Sequence, residues 1–223
     1  MSDYYHPYNK ALTTAQMQVN AIWIRNYLQA KGWSLNAICA CLGNWQSECT
    51  LNPNRCSNKA YPNSSGGAFG LPQWTPYNKK MSPWCKAQGI AELARDDNPA
   101  GMIETQIAFH DYDATYGYNG KKTWYNNRGY HYTWAAFKTA TDNPATMATA
   151  YYWQYERSKA GNPGSRPAQA QAWYNYLSGQ PYSPILGPSF VQRPGILSLM
   201  GGNLSFLWIW YLILYLLRGG RNR

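Results

Sequence analysis

Charge is scarce in this chain: 13% of its 223 residues are Asp, Glu, Lys or Arg, and only 10 are acidic. Five cysteines form no Cys-x-x-Cys pair, which excludes a zinc ribbon. His6, His110 and His131 are far apart and match no metal-ligand spacing. No metal and no cofactor is therefore implied. The glycine-rich run Gly66-Gly-Ala-Phe-Gly70 lacks the Lys-Ser/Thr pair of a phosphate loop. The first ten residues hold no apolar run, so a secretory signal peptide is not expected.

The chain does have basic charge and large rings. The formal net charge is +10, with 20 Tyr and 11 Trp against 5 Phe. A positive surface favours polyanionic partners: nucleic acid, bacterial wall polymers or anionic lipid. The Lys and Arg residues are scattered and form no basic stripe, which argues against nucleic acid. Tyr and Trp fill cores, and they also stack on sugar faces while keeping a polar edge. Among the cysteines, Cys39 and Cys41 read as small buried apolar side chains. A Cys49–Cys56 bridge would close a short loop.

Residues 1–11 read as a loose arm. Thr13 and Gln16 stand at the spacing of a capping box, and Met17, Ala21, Ile24 and Leu28 follow at helical spacing. Gly32 ends that helix and Ser34 caps a second, whose apolar stripe is Leu35, Ile38, Leu42 and Trp45. Residues 49–78 contain repeated Pro and Gly and read as a small lobe of loops with a short β-hairpin. Further helices are predicted near 80–88, 99–115, 132–141, 144–158 and 166–178. Asn143-Pro144 opens one of them, and Ser165 caps the last, which carries Ala168, Ala172, Trp173, Tyr176 and Leu177. Loop 117–129 is basic and aromatic, either a cleft wall or plain surface. Residues 179–195 form a Pro/Gly linker. Residues 196–217 carry no charge and include a long apolar, Trp/Tyr-rich run, as a transmembrane helix does. A hydrophobic hairpin docked on protein is the alternative. The tail 218–223 is basic, which places the C-terminus on the cytosolic side.

Glu48 lies one turn beyond Trp45, at the end of the second helix, partly desolvated and reachable. No Asp or Glu occurs between it and Glu92. Cleaving a glycosidic bond needs a proton delivered to the leaving oxygen, and a carboxyl group delivers it near neutral pH only with a raised pKa. Trp45 and Leu42 are placed to desolvate Glu48. The positive charge that develops on the sugar needs an answer from a second carboxylate or from the substrate's own acetamido or 6-hydroxyl group. Asp96, Asp97, Glu104, Asp111, Asp113 and Glu156 are all open for the first role, and no spacing selects among them. Gly66, Gly67 and Gly70 allow a turn to pass close to a bound sugar. Gln73 has both donors and acceptors for acetamido and hydroxyl groups, Thr75 a hydroxyl, and Trp74 either a stacking face or a core anchor. Tyr61 is a further aromatic candidate.

The stretch Gly43-Asn-Trp-Gln-Ser-Glu48, with Asn52-Pro53 and Gly67-Ala-Phe-Gly-Leu-Pro-Gln-Trp-Thr-Pro76, resembles the phage tail lysozyme family. More distantly it is similar to goose-type lysozymes and soluble lytic transglycosylases. Leu12 to Asn20, Gly32-Trp33 and Tyr155-Glu-Arg157 extend the resemblance over about residues 10–160, with 161–178 as a closing helix. It implies an α+β, mainly helical lysozyme-like domain over 12–178, Glu48 as general acid, and Gln73 lining a saccharide cleft. Ser64 takes the place of a serine in the transglycosylase pattern. Cys49 departs from the Ser that follows the catalytic Glu there, and Pro72 from the Met before the Gln. The implied activity is glycosidase or lytic transglycosylase action on peptidoglycan strands. It would be carried in a virion, on the tail or an internal membrane, in company with other virion proteins, for wall penetration. A membrane-anchored endolysin is one alternative. A wall-binding tail component without turnover is another.

Overall fold

The computed structural model describes residues 3–57, 66–118, 121, 123–157 and 161–185. Helix α1 (Thr14–Gln29) begins with the expected capping box: Thr13 accepts from Gln16 N–H, and the Gln16 side chain accepts from Thr13 N–H. Past its end Gly32 adopts φ +82°, a conformation that glycine enters without steric cost. Gly32 N–H then reaches Gln29 O, and Trp33 N–H reaches Leu28 O, a Schellman closure.

Helix α2 (Leu35–Cys49) is capped by Ser34. The expected stripe is there, but the burial is wider: every residue from Ala37 to Trp45 is buried. A helix buried all round belongs at the centre of a bundle. Around it pack α1, α5 (Trp134–Thr139), α6 (Pro144–Tyr151) and α7 (Arg166–Ser178). Gly43 permits the closest of these contacts. A Cβ there would lie 2.5 Å from Arg166 O and 2.6 Å from Ala170 N, so α7 crosses α2 backbone to backbone. The buried side of α7 is Ala170, Trp173 and Leu177. Ala168 and Ala172 are exposed. Ser165 makes no side-chain cap bond; its Oγ faces Ser47 Oγ instead.

The second half of the domain packs a separate core. Helices α3 (Met81–Ala87) and α4 (Ile103–Thr115) gather Phe69, Trp74, Tyr77, Met81, Trp84, Cys85 and Phe109. Among the described residues of this lobe the expected β-hairpin has no strands, only isolated bridges, Cys56 with Phe69 and Phe69 with Trp74. The loops are tied by buried amides in place of a sheet. Asn52 donates to Pro7 O and Lys10 O, Asn54 to His6 O and Arg95 O, and Gln106 to Pro53 O and Ala100 O. Gln106 Oε1 accepts from Leu71 N–H at 2.8 Å. These amides satisfy backbone groups that would otherwise be buried without partners. The N-terminal arm is part of this lattice and is not loose: Tyr4 is buried, and its hydroxyl donates to Glu104.

Helix α6 starts at Asn143-Pro144 as expected, with Asn143 accepting from Ala145 and Thr146 N–H. It then widens into a π turn, Tyr152–Glu156, and closes at Arg157 with φ 53°. All five cysteines are buried. The Cys49–Cys56 bridge is absent: Cys49 is a thiol donating to Trp45 O, and Cys56 meets the Tyr8 hydroxyl. The described residues belong to one compact unit. Among the described residues no helix is long and apolar enough to cross a membrane. The 196–217 segment, for which a membrane helix is expected, lies outside them.

Candidate active site

The two cores meet at a cleft of about 260 Å³. The last turn of α2 contributes Glu48, whose side chain is 26% exposed. The loop after Leu71 contributes Pro72, Gln73, Trp74, Thr75 and Lys80. Asp113 comes from α4, Thr123 from the following loop, and Tyr155, Glu156 and Arg157 from the end of the π turn. Three consecutive residues of a regular α-helix point about 100° apart. The widened turn and the left-handed exit at Arg157 bring all three to one cleft. Widened turns of this kind recur at functional sites.

The expected surroundings of Glu48 are corrected. An apolar pocket of Leu42 and Trp45 was to desolvate a solitary carboxyl, but both side chains belong to the central core. Beside Glu48 stands Arg166 at the first turn of α7, which donates through Nη2 to Glu48 Oε1. The same guanidinium donates through Nε to Glu156 Oε2 at 3.0 Å. Its plane lies over the Tyr152 ring, 5.0 Å from the centroid. One cation thus serves two carboxyl groups. Glu156 is the more buried of them, with a side chain only 6% exposed. Burial pushes its pKa up to about 8; Arg166 pulls it down, and the neighbouring Glu48 charge pushes it up again. The proton-holding carboxyl near neutral pH is therefore Glu156.

Folding also selects among the six remaining acids. Asp96 accepts from Tyr8 N–H, Asp97 pairs with Arg95, Glu104 accepts from Tyr4, and Asp111 takes Lys138 and Trp134. Only Asp113 and Glu156 reach the cleft with Glu48. Asp113 accepts from Thr123 Oγ1 at 2.7 Å and from the Tyr155 hydroxyl at 2.8 Å. Tyr155 in turn accepts from Trp74 Nε1 at 2.9 Å. The cleft also carries cations. Arg157 lies over the Tyr125 ring, and burial lowers the pKa of Lys80, against the pull of Asp113.

The candidate sugar-contacting residues divide. Gln73 and Thr75 line the cleft. The Gln73 amide nitrogen, however, donates to Gly70 O at 2.8 Å and Arg55 O at 3.2 Å, and φ at Gln73 is +52°. Its nitrogen holds the turn, which leaves the carbonyl oxygen for a ligand. Thr75 Oγ1 donates back to Gln73 O. Trp74 is 3% exposed; it packs edge-on against Phe109 and offers no open stacking face. Gly70 is absent from the cleft lining. Its φ of +83° and the 2.7 Å and 2.8 Å that a Cβ would have to Gln106 and Trp74 give packing a reason to require glycine there. Ser64 and Tyr61 lie outside the described residues.

Sequence reasoning missed Arg166. One signal was available: an arginine opening a helix with no acidic residue in the first turn opposes the helix dipole and calls for anionic partners elsewhere.

The phage tail lysozyme family profile matches residues 19–177, a span that contains Glu48, Gln73, Asp113, Glu156 and Arg166. Morphogenesis protein 1 of Bacillus phage B103 is 34% identical over 174 residues, which cover 77% of this chain and 43% of that protein. The chain thus spans less than half the length of that curated relative. On the family match and this relative, the chain belongs to the phage tail lysozyme family.

Proposed function

We propose that this domain cleaves the MurNAc–GlcNAc glycan strand of peptidoglycan, with Glu48 delivering a proton to the leaving oxygen. It would act from the virion, opening the wall locally as infection begins. The observation that carries the reading is a cleft in which Glu48 stands beside a second, buried carboxyl, Glu156, joined to it through Arg166. Family membership supports glycosidase chemistry. The name of the B103 relative, a morphogenesis protein, favours a virion role over an endolysin.

Asp113, fully buried and anchored by Thr123 and Tyr155, is proposed to answer positive charge on the sugar from the cleft floor. Lys80 and Arg157, with the chain's net charge of +10, suit a substrate that bears lactyl and peptide carboxylates. The 196–217 segment is proposed as a membrane anchor beyond the 179–195 linker. Gln73 and Thr75 are proposed as sugar contacts, while Trp74 and Gly70 shape the wall behind them.

The test is a peptidoglycan zymogram with Glu48→Gln, backed by mass spectrometry of the released muropeptides. Loss of clearing with an unchanged circular dichroism spectrum is expected. Undiminished clearing by that variant overturns the assignment. A reducing-end or an anhydro-sugar product separates Asp113-assisted hydrolysis from internal attack by the substrate's 6-hydroxyl.

A further inference from the structure

The geometry points to Arg166 and Glu156 as positioning residues for Glu48: the two carboxyls hold one proton between them, and Arg166 is the counter-ion of whichever one lacks it. This rests on the reading of Glu48 as proton donor. An arginine stays protonated throughout the working range, so the triad has one fixed positive charge and two titratable negative ones. Arg166 reaches both carboxyls at once, by Nη2 to Glu48 and by Nε to Glu156. Glu156 Oε1 is buried and has no hydrogen-bond partner. An orphan oxygen is costly on a carboxylate and much less so on a neutral acid, which places the resting proton on Glu156.

The groups that face Glu156 agree. From α2 come Glu48 and the Cys41 thiol, from α7 Arg166, from α6 the Tyr151 hydroxyl, and in the cleft Lys80, Asp113 and the adjoining Arg157. Arg166 is the one cation in hydrogen-bond contact with Glu156 among the described residues. It cannot neutralise two carboxylates there.

The step balances without a co-reactant. A proton leaves the Glu156 carboxyl and lands on the Glu48 carboxylate through cleft water, while the charge balance of Arg166 moves from Glu48 to Glu156. Net charge is unchanged. When Glu48 then gives that proton to the glycosidic oxygen, Arg166 is already in contact with the carboxylate that results.

Two measurements test this on the full chain. In the unmodified protein, carbon-13 carboxyl titration of the four glutamates, Glu48, Glu92, Glu104 and Glu156, should show one resonance that stays protonated past pH 7. All four ionised by pH 6 would overturn the proposal, whatever any variant does. Second, the pH profile of peptidoglycan clearing by Glu156→Gln should lose its alkaline limb first. Arg166 then belongs to Glu48 alone, so the limb should move to lower pH while acidic activity persists. A uniform loss at every pH, with the limb in place, marks Glu156 as merely structural. Clearing by Glu48→Gln would instead sink the assignment of the donor, and the carboxyl titration would still decide whether the pair shares a proton.

Discussion

Gly43→Ala is a one-methyl change that should uncouple the bundle from the chemistry. The new Cβ would sit 2.5 Å from Arg166 O, 2.6 Å from Ala170 N and 2.9 Å from Ala170 Cα. All three are backbone atoms, so no side chain can swing away. Restoring an ordinary contact of 3.4 Å requires α7 to retreat by close to 1 Å at the residue that holds Glu48. Two effects compete. Alanine improves helix propensity by roughly 1 kcal/mol over glycine. Overpacking a filled core costs roughly 1–3 kcal/mol, and the weakened Arg166 bonds to Glu48 and Glu156 add to that. The packing cost should win, lowering Tm by several degrees. Activity should fall further than stability, since a misplacement of ~1 Å in a catalytic constellation can cost about 100-fold in rate. Thermal unfolding and turbidity clearing of peptidoglycan, run beside Gly66→Ala as a control with nothing within 4 Å of its Cβ, provide the check. A Gly43→Ala protein as stable and as active as the parent would refute the claim that this crossing sets the position of Arg166.

The remaining expectations concern buried titrating groups and thiols. Glu156 is raised from 4.5 to about 8, and buried His110 is lowered from 6.5 to about 3. From about pH 3 to 4.5 stability should rise with pH, because there only the unfolded state protonates the histidine. Between 4.5 and 6.5 the two slopes cancel. From 6.5 to 8 stability should fall by about 2 kcal/mol, at ~1.4 kcal/mol per unit, because folding keeps a proton on Glu156. Urea titrations across that range check the shape, and Glu156→Gln should remove the decline. Dithiothreitol should leave Tm unchanged, since the buried Cys49 carries a thiol; a reductant-dependent Tm would refute this.

Helix positions were largely legible along the chain because their signals are local. Thr13, Ser34 and Asn143 cap their helices where expected, and the motif around Glu48 belongs to the family that the profile match shows. Among the described residues the hairpin's strands are missing, because Gly and Pro mark turns without saying whether strands pair between them. Asn52 and Asn54 follow Glu48 closely, yet both are fully buried and hold loops together. A side-chain amide is equally suited to a sugar and to a backbone carbonyl, and sequence does not tell the two apart.

By itself the sequence determined the helices, the family and the candidate proton donor, all of which depend on residues a few positions apart. Only the tertiary structure decided what surrounds that donor. Arg166 lies 118 positions from Glu48 and reaches it because Gly43 lets two backbones touch. Glu156 faces the same cleft because its helix widens by one residue just before the chain turns away. Electrostatics acts through space, and spacing along the chain does not encode it.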